Sequence, residues 1–259
     1  MSELDFREER SFEYLEARSR EIYPEILDVL RFEDLGNYSS VLVPLREVSG
    51  HLSIMLNKRS RFVPQPGDLC FPGGRIEPLV DTLIGLGVLL KKPWFVEKAG
   101  GKKRLISLLM STAFRESWEE LRLNPFRIEP LGILPPQDLV MFKKRIIPFL
   151  GRIKGDPNLR VNGREVEKVI WLPVKDLFLK ERYALYRLYG LPGRDENEGV
   201  DFPCFLYQDG VSVEILWGAT YRIVMTFLKV FWGFAPPELE SRPVVPGTFS
   251  KNYLTGYDA

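Results

Sequence analysis

Three carboxylates are gathered in the run Arg115-Glu116-Ser117-Trp118-Glu119-Glu120. Glu116 lies three residues before Glu119 and four before Glu120, so on a helix all three leave from one face. Like charges at that spacing repel, and a solvated helix gains nothing from them. A hard divalent cation, Mg²⁺ or Mn²⁺, reverses the sign, because such ions take carboxylate oxygens and keep water positions open for phosphate. Arg115, four residues before Glu119, is spaced to hold that carboxylate. Upstream, Phe71-Pro72-Gly73-Gly74 is a backbone able to turn tightly beside a ligand. Together the two segments point to a metal-assisted phosphoanhydride site. The competing explanation is a plain solvated helical face.

Other segments decide between the two. Met55-Leu56-Asn57-Lys58-Arg59-Ser60 and Gly67 precede the glycine pair, while Ile147-Pro148-Phe149, Glu165-Val166, Trp171-Leu172-Pro173 and Trp217-Gly218-Ala219-Thr220 follow the acidic run. In this order they resemble the Nudix hydrolases, and within them the branch of coenzyme A pyrophosphatases. The Nudix box reads Gly, five residues, Glu, seven residues, Arg-Glu, an apolar residue, any residue, Glu-Glu, any residue, Gly, apolar. Gly74 resembles its first glycine, and Arg115, Glu116, Glu119 and Glu120 match its core. The resemblance covers roughly residues 38–232.

The resemblance implies an α+β fold, a Nudix-type α/β/α sandwich with a mixed β-sheet. It implies hydrolysis of the diphosphate of coenzyme A or an acyl-coenzyme A, giving adenosine 3′,5′-bisphosphate and a 4′-phosphopantetheine. Glu116, Glu119 and Glu120 would hold Mg²⁺ or Mn²⁺, with a backbone carbonyl of Gly73 or Gly74 completing the shell. Arg59 and Ser60 would meet the nucleotide. The general base is one of the acidic triplet or Glu165, and a base must lie within hydrogen-bond reach of its water. Two other functions stay open: a hydrolase of another nucleoside diphosphate derivative, such as ADP-ribose or a dinucleotide, and a catalytically weakened module that binds a nucleotide as a regulator.

The chain also departs from the box. Gly74 and Arg115 are 41 positions apart where the box has 14, so about 27 residues are inserted. Ser107 stands where the first box Glu belongs, and serine suits a helix N-cap. Ser117 replaces the apolar position and Arg122 the last glycine. The insertion, residues 79–104, starts apolar and ends in Lys98-Ala99-Gly100-Gly101-Lys102-Lys103-Arg104. It is either a lid whose basic end meets phosphates or a surface excursion.

Composition narrows the rest. A chain of 259 residues with 45% apolar content can bury a large core. The 36 basic residues against 35 acidic give no global pull toward nucleic acid or membrane, so any attraction for phosphate is local. Lys143-Lys144-Arg145 offers one such patch, or a merely solvated run. Two cysteines, Cys70 and Cys204, suit a reducing compartment. The charged start, the lack of an apolar run long enough for a bilayer, and the ending Gly-Tyr-Asp-Ala make cytoplasm the expected location. The single histidine, His51, disfavours zinc or histidine nucleophile chemistry. Trp217 either faces the ligand or is buried at a helix start.

The positioning elements follow from periodicity. Residues 1–37 read as an amphipathic helical extension broken near Pro24, packing onto the domain or onto a second copy in a homodimer. Residues 38–235 read as the Nudix domain and 236–259 as a tail. Ser40–Leu45 and Leu52–Leu56 predict a hairpin turning at Gly50, and Leu69–Phe71 a short strand. Leu105–Leu121 predicts the acidic helix, 127–134, 144–151 and 166–172 predict strands, and 219–232 an aromatic helix.

Overall fold

The computed structural model describes residues 11–89, 93–139, 144–238, 242–250 and 252–256. Residues 1–10 of the extension, 90–92 of the insertion, Lys143 of the basic run, and 239–241, 251 and 257–259 of the tail lie outside them.

In chain order the elements are α1 (Phe12–Val29), β1 (Tyr38–Val48), β2 (His51–Arg59), β3 (Leu69–Cys70), β4 (Gly73–Arg75), α2 (Pro78–Leu89), α3 (Trp94–Glu97), α4 (Lys103–Leu121), β5 (Ile128–Ile133), β6 (Gln137–Leu139), β7 (Lys144–Ile153), β8 (Val166–Pro173), β9 (Tyr183–Tyr189), β10 (Val200–Asp209), β11 (Ser212–Trp217), α5 (Gly218–Trp232) and β12 (Val244–Thr248). The chain divides into two compact units, one of residues 11–55 with Phe71–Asn162, the other of Leu56–Cys70 with 163–256. The class is α+β, and the larger sheet is mixed, as the resemblance implied.

In the first unit β1 is the central strand. It pairs in parallel with β7, Leu42 opposite Phe149, and antiparallel with β2 and β4. β5 and β6 add to β7 antiparallel. Ser49 and Gly50, both at positive φ, make the two-residue turn between β1 and β2, the geometry whose twist matches a hairpin. β1 carries an unbroken buried stretch, Leu42, Val43, Pro44 and Leu45, as expected of a strand covered on both sides. Helix α4 packs against β1 and β4, α2 against α4, and α1 against β5.

Helix α1 is not broken at Pro24. Ser11 caps it through Tyr14 N–H to Ser11 Oγ at 3.2 Å, and a buried stripe of Leu15, Ser19, Tyr23 and Ile26 continues past the proline. Tyr23 O–H donates to the Phe95 carbonyl, and its ring meets Trp94 and Phe95 edge-on. Packing on both sides of Pro24 outweighs the lost backbone bond, which propensity alone could not show.

In the second unit β2 continues into pairing with β3, Asn57 opposite Cys70. A separate four-stranded sheet runs β11-β10-β9-β12. None of its strands is among those predicted, and β12 comes from the segment set apart as a tail. Helix α5 lies on β10 and β11. Tyr183, Phe205, Tyr221 and Phe234 form an aromatic cluster under it, with Tyr183 O–H donating to the Leu177 carbonyl at 2.6 Å. Cys70 and Cys204 are not joined in a disulfide. Among the described residues no helix is long and apolar enough to cross a membrane.

The seat of α1 gives a direct test. A Cβ placed on Gly132 of β5 would lie 2.4 Å from Ser19 Cβ. Gly132→Val is therefore expected to destabilise the unit by about 1–3 kcal/mol, the usual cost of overpacking, read as a lower urea midpoint.

Candidate active site

The acidic run does occupy the last two turns of α4, and the glycine pair does lie against it. Gly73 and Gly74 belong to β4, held on β1 by the pairs Val41–Gly73 and Ser40–Gly74. A Cβ on Gly74 would fall 2.2 Å from Glu116 Oε1, and one on Gly73 would fall 2.3 Å from the Ser40 carbonyl. Only glycine permits this approach. Gly73 N–H points to Glu120 Oε1 at 3.4 Å, a long contact. Glu120 is 9% exposed, the Glu116 side chain 17% and the Glu119 side chain 50%, so the first two face inward and the third stands at the rim.

Arg115 is the organising group. Its side chain is 4% exposed and its Nε donates to Asp81 Oδ1 at 2.8 Å. Nη2 donates to the Arg75 carbonyl at 2.9 Å, and Nη1 reaches Glu119 Oε2 and Glu116 Oε1, each at 3.0 Å. Glu77 stands further off at 3.7 Å. Burial pulls the guanidinium pKa down, but the hydrogen bond to Asp81 and the charges of Glu116, Asp81 and Glu119 outweigh it and raise the pKa above its ordinary value. Arg115 thus stays charged and fixes two of the three carboxylates.

Asp81 is the residue that sequence reading missed. It is fully buried, and accepts from Glu77 N–H at 2.7 Å, Thr112 Oγ1 at 2.8 Å and Arg115 Nε. The signal existed: Asp81 is the one acid in the apolar stretch 79–90, and a buried charge requires a partner. At this end the inserted segment packs beside the acidic helix. Its first part is α2, clamped to α4 through this pair.

Ser107 is not an N-cap. Helix α4 starts at Lys103, behind a 3-10 turn at Gly100–Lys102, so Ser107 lies inside it and donates to the Lys103 carbonyl at 2.8 Å. Ser111, Thr112 and Ser117 bond back one turn in the same way, which satisfies their hydroxyls within the helix. Arg122 adopts the left-handed conformation at the helix end, φ 55°, which explains the glycine the box has there. Holding an arginine so costs about 1 kcal/mol.

The remaining expected residues belong to the second unit. Arg59 Nε donates to the Pro64 carbonyl at 2.6 Å, and Ser60 Oγ donates to the Arg164 carbonyl. Ser60 N–H donates to the Glu165 carbonyl at 2.9 Å, with the Glu165 side chain exposed. Ser60 and Glu165 are thus brought together through backbone. Of the basic run, Arg145 is paired with Asp138 at 2.6 Å. Trp217 donates through Nε1 to Asp68 Oδ1 at 3.1 Å, and Tyr253 O–H donates to the other oxygen. These three line a cavity of about 340 Å³ with Lys58, Arg61 and Phe249. Burial pushes the Asp68 carboxyl up to about 6, against the hydrogen bonds from Tyr253 and Trp217.

An ion at the acidic triplet is testable on chemistry. Glu77, Asp81, Glu116 and Glu119 all crowd one guanidinium, and Glu120 adds a further carboxylate one turn from Glu116. Among the described residues no three acidic, histidine or cysteine side chains are gathered closely enough to cage an ion as they stand. The excess negative charge and the all-oxygen donor set nevertheless fit a hard divalent cation.

No family model matches the chain. Curated relatives do. It is 29% identical to Nudix hydrolase 3 of Caenorhabditis elegans over 173 residues, 64% of this chain and 61% of that protein. It is 29% identical to the peroxisomal coenzyme A diphosphatase NUDT7 of Mus musculus over 189 residues, 70% of this chain and 66% of that protein. Nudix hydrolase 22, chloroplastic, of Arabidopsis thaliana is 28% identical over 250 residues, 93% of this chain and 71% of that protein. The chain therefore spans somewhat less than two thirds of the first two. Among solved structures, the NUDIX domain of Shewanella oneidensis NrtR complexed with ADP ribose is 17% identical, covers 60% of this chain and 86% of that one, and has a TM-score of 0.37, too low to argue from. By sequence the chain is similar to the Nudix hydrolases.

Two outcomes are expected. Asp81→Ala leaves Arg115 buried without its main partner and should cost about 3–5 kcal/mol, measured by urea denaturation. For Asp68 the ionised form is the one penalised in the fold, so stability is lost as pH rises from its ordinary value of 3.8 toward 6 and no further above. Asp68→Asn should therefore gain melting temperature over the wild type across that window; a difference flat with pH contradicts the assignment.

Proposed function

We propose that the chain is a divalent-metal-dependent hydrolase that cleaves the diphosphate of coenzyme A or an acyl-coenzyme A. The products are adenosine 3′,5′-bisphosphate and an (acyl-)4′-phosphopantetheine. The observation that carries this reading is the contact of the Gly73-Gly74 backbone with the carboxylates of Glu116 and Glu120. A glycine backbone beside the acidic face of α4 supports a ligand held between the two. The kinship with a coenzyme A diphosphatase supports the choice of substrate.

Glu116, Glu119 and Glu120 would hold Mg²⁺ or Mn²⁺. When bound, the ion supplies charge neutralisation for the phosphate oxygens and acidifies water. Arg115 orients Glu116 and Glu119 by its two contacts from Nη1, and Asp81 keeps Arg115 from swinging toward the substrate phosphates. The water oxygen forms a new bond to phosphorus, the bridging P–O bond breaks with the leaving phosphate keeping that oxygen, and the proton goes to a carboxylate of the triplet. Two cysteines outside any disulfide suit a reducing compartment such as the cytoplasm.

Glu120→Gln keeps the shape and removes one negative charge. It is expected to lower kcat by ~10³-fold or more, about 4 kcal/mol of barrier, with an unchanged melting curve. Near-normal turnover refutes the assignment. A substrate panel read by product mass, with Mg²⁺ and Mn²⁺, separates coenzyme A cleavage from cleavage of ADP-ribose or dinucleotides, and both from binding without turnover.

A further inference from the structure

Beyond the carboxylates, the end of α4 opens into a cavity of about 740 Å³ lined by Trp118, Glu119, Arg122, Arg127, Asn158 and Arg160, among others. Its floor is tied to the acidic helix. Arg160 N–H donates to the Leu121 carbonyl at 2.8 Å and Asn162 N–H to the Glu120 carbonyl at 2.7 Å. The irregular segment from Pro157 to Asn162 thereby takes up two of the helix's last carbonyls.

Three guanidiniums share this cavity with one carboxylate, and that carboxylate, Glu119, is already drawn to Arg115. Among the described residues none of Arg122, Arg127 or Arg160 forms an ion pair. Arg127 donates to the Asp156 carbonyl at 2.8 Å, and Arg122 lies 5.3 Å from the half-exposed Trp118 ring. Two of the wall residues, Arg122 and Asn158, hold left-handed backbones, φ 55° and 46°. Arg122 does so at the position where the Nudix box has glycine, a residue that would fit the helix end without strain. Planar forks that line one cavity and form no ion pair among the described residues suit a phosphate dianion.

We propose that this cavity is a second phosphate subsite, in which Arg122, Arg127 and Arg160 grip a phosphomonoester carried by the same nucleotide whose diphosphate is cleaved. The inference rests on the diphosphate-hydrolase reading and deepens it. Glu119 borders both the cavity and the acidic face, so a nucleotide lying along α4 presents its diphosphate to the carboxylates and its phosphomonoester to the arginines. The chemistry selected is a nucleoside diphosphate derivative phosphorylated on its ribose.

The test compares coenzyme A with its 3′-dephosphorylated form on the full chain, for the wild type and for the double variant Arg122→Gly/Arg160→Ala. Arg122→Gly also relieves the left-handed arginine, so a loss cannot be ascribed to the helix end unfolding. The wild type is expected to prefer coenzyme A by ~10–100-fold in kcat/KM through KM, the worth of one or two charged hydrogen bonds. The double variant is expected to abolish that preference. A wild type without preference, or a preference that survives in the double variant, overturns the subsite and leaves the hydrolase reading standing. Should neither compound be cleaved, the hydrolase reading fails by itself. Calorimetric titration with adenosine 3′,5′-bisphosphate against adenosine 5′-monophosphate then decides the subsite: tighter binding of the bisphosphate, lost in the double variant, sustains it, and equal binding overturns it.

Discussion

Everything at the acidic face depends on one buried ion pair, Arg115 with Asp81. A guanidinium and a carboxylate removed from water are costly unless each is fully hydrogen-bonded. Here Asp81 accepts from Thr112, Glu77 and Arg115, and Arg115 spends its remaining donors on the Arg75 carbonyl and on Glu116 and Glu119. The pair thus joins α2, α4 and the strand carrying the glycines. A cluster of carboxylates that would otherwise repel is kept in register by a cation that cannot lose its proton.

The same constraint explains the unusual interior of α4. Ser107, Ser111, Thr112 and Ser117 are buried, and each hydroxyl returns to a carbonyl of its own helix. Such residues are small, so neighbouring elements come close, and they leave no unmet polar group behind. The carboxylate-bearing face can then sit within reach of a glycine backbone instead of being held away by large side chains.

Local patterns in the sequence carried much of this. The i, i+3, i+4 spacing of Glu116, Glu119 and Glu120 needs no tertiary information, nor does the Arg115–Glu119 contact. The β1–β2 hairpin was legible from two β-rich runs around Gly50. What escaped depends on distant partners. Asp81 and Arg115 are 34 residues apart, and no periodicity links them. Pro24 reads as a break because its neighbours Tyr23 and Ile26 find their packing partners far along the chain. Ser107 reads as a cap because the 3-10 turn that starts the helix earlier has weak sequence character. The sheet of β9 to β12 had a visible hairpin signal at Asp209-Gly210, but the parallel return of β12 onto β9 is a long-range pairing.

The close approach of Gly74 to Glu116 bears on how such chains are found at all. The two residues touch in space while the chain between them is about three times longer than the family's usual span. Closing the longer loop costs only about 1 kcal/mol more in entropy, less than a well-bonded internal clamp returns. The gap can therefore lengthen while the touch is kept. A search pattern with a rigid interval between glycine and arginine misses such a chain, and a template of facing atoms finds it.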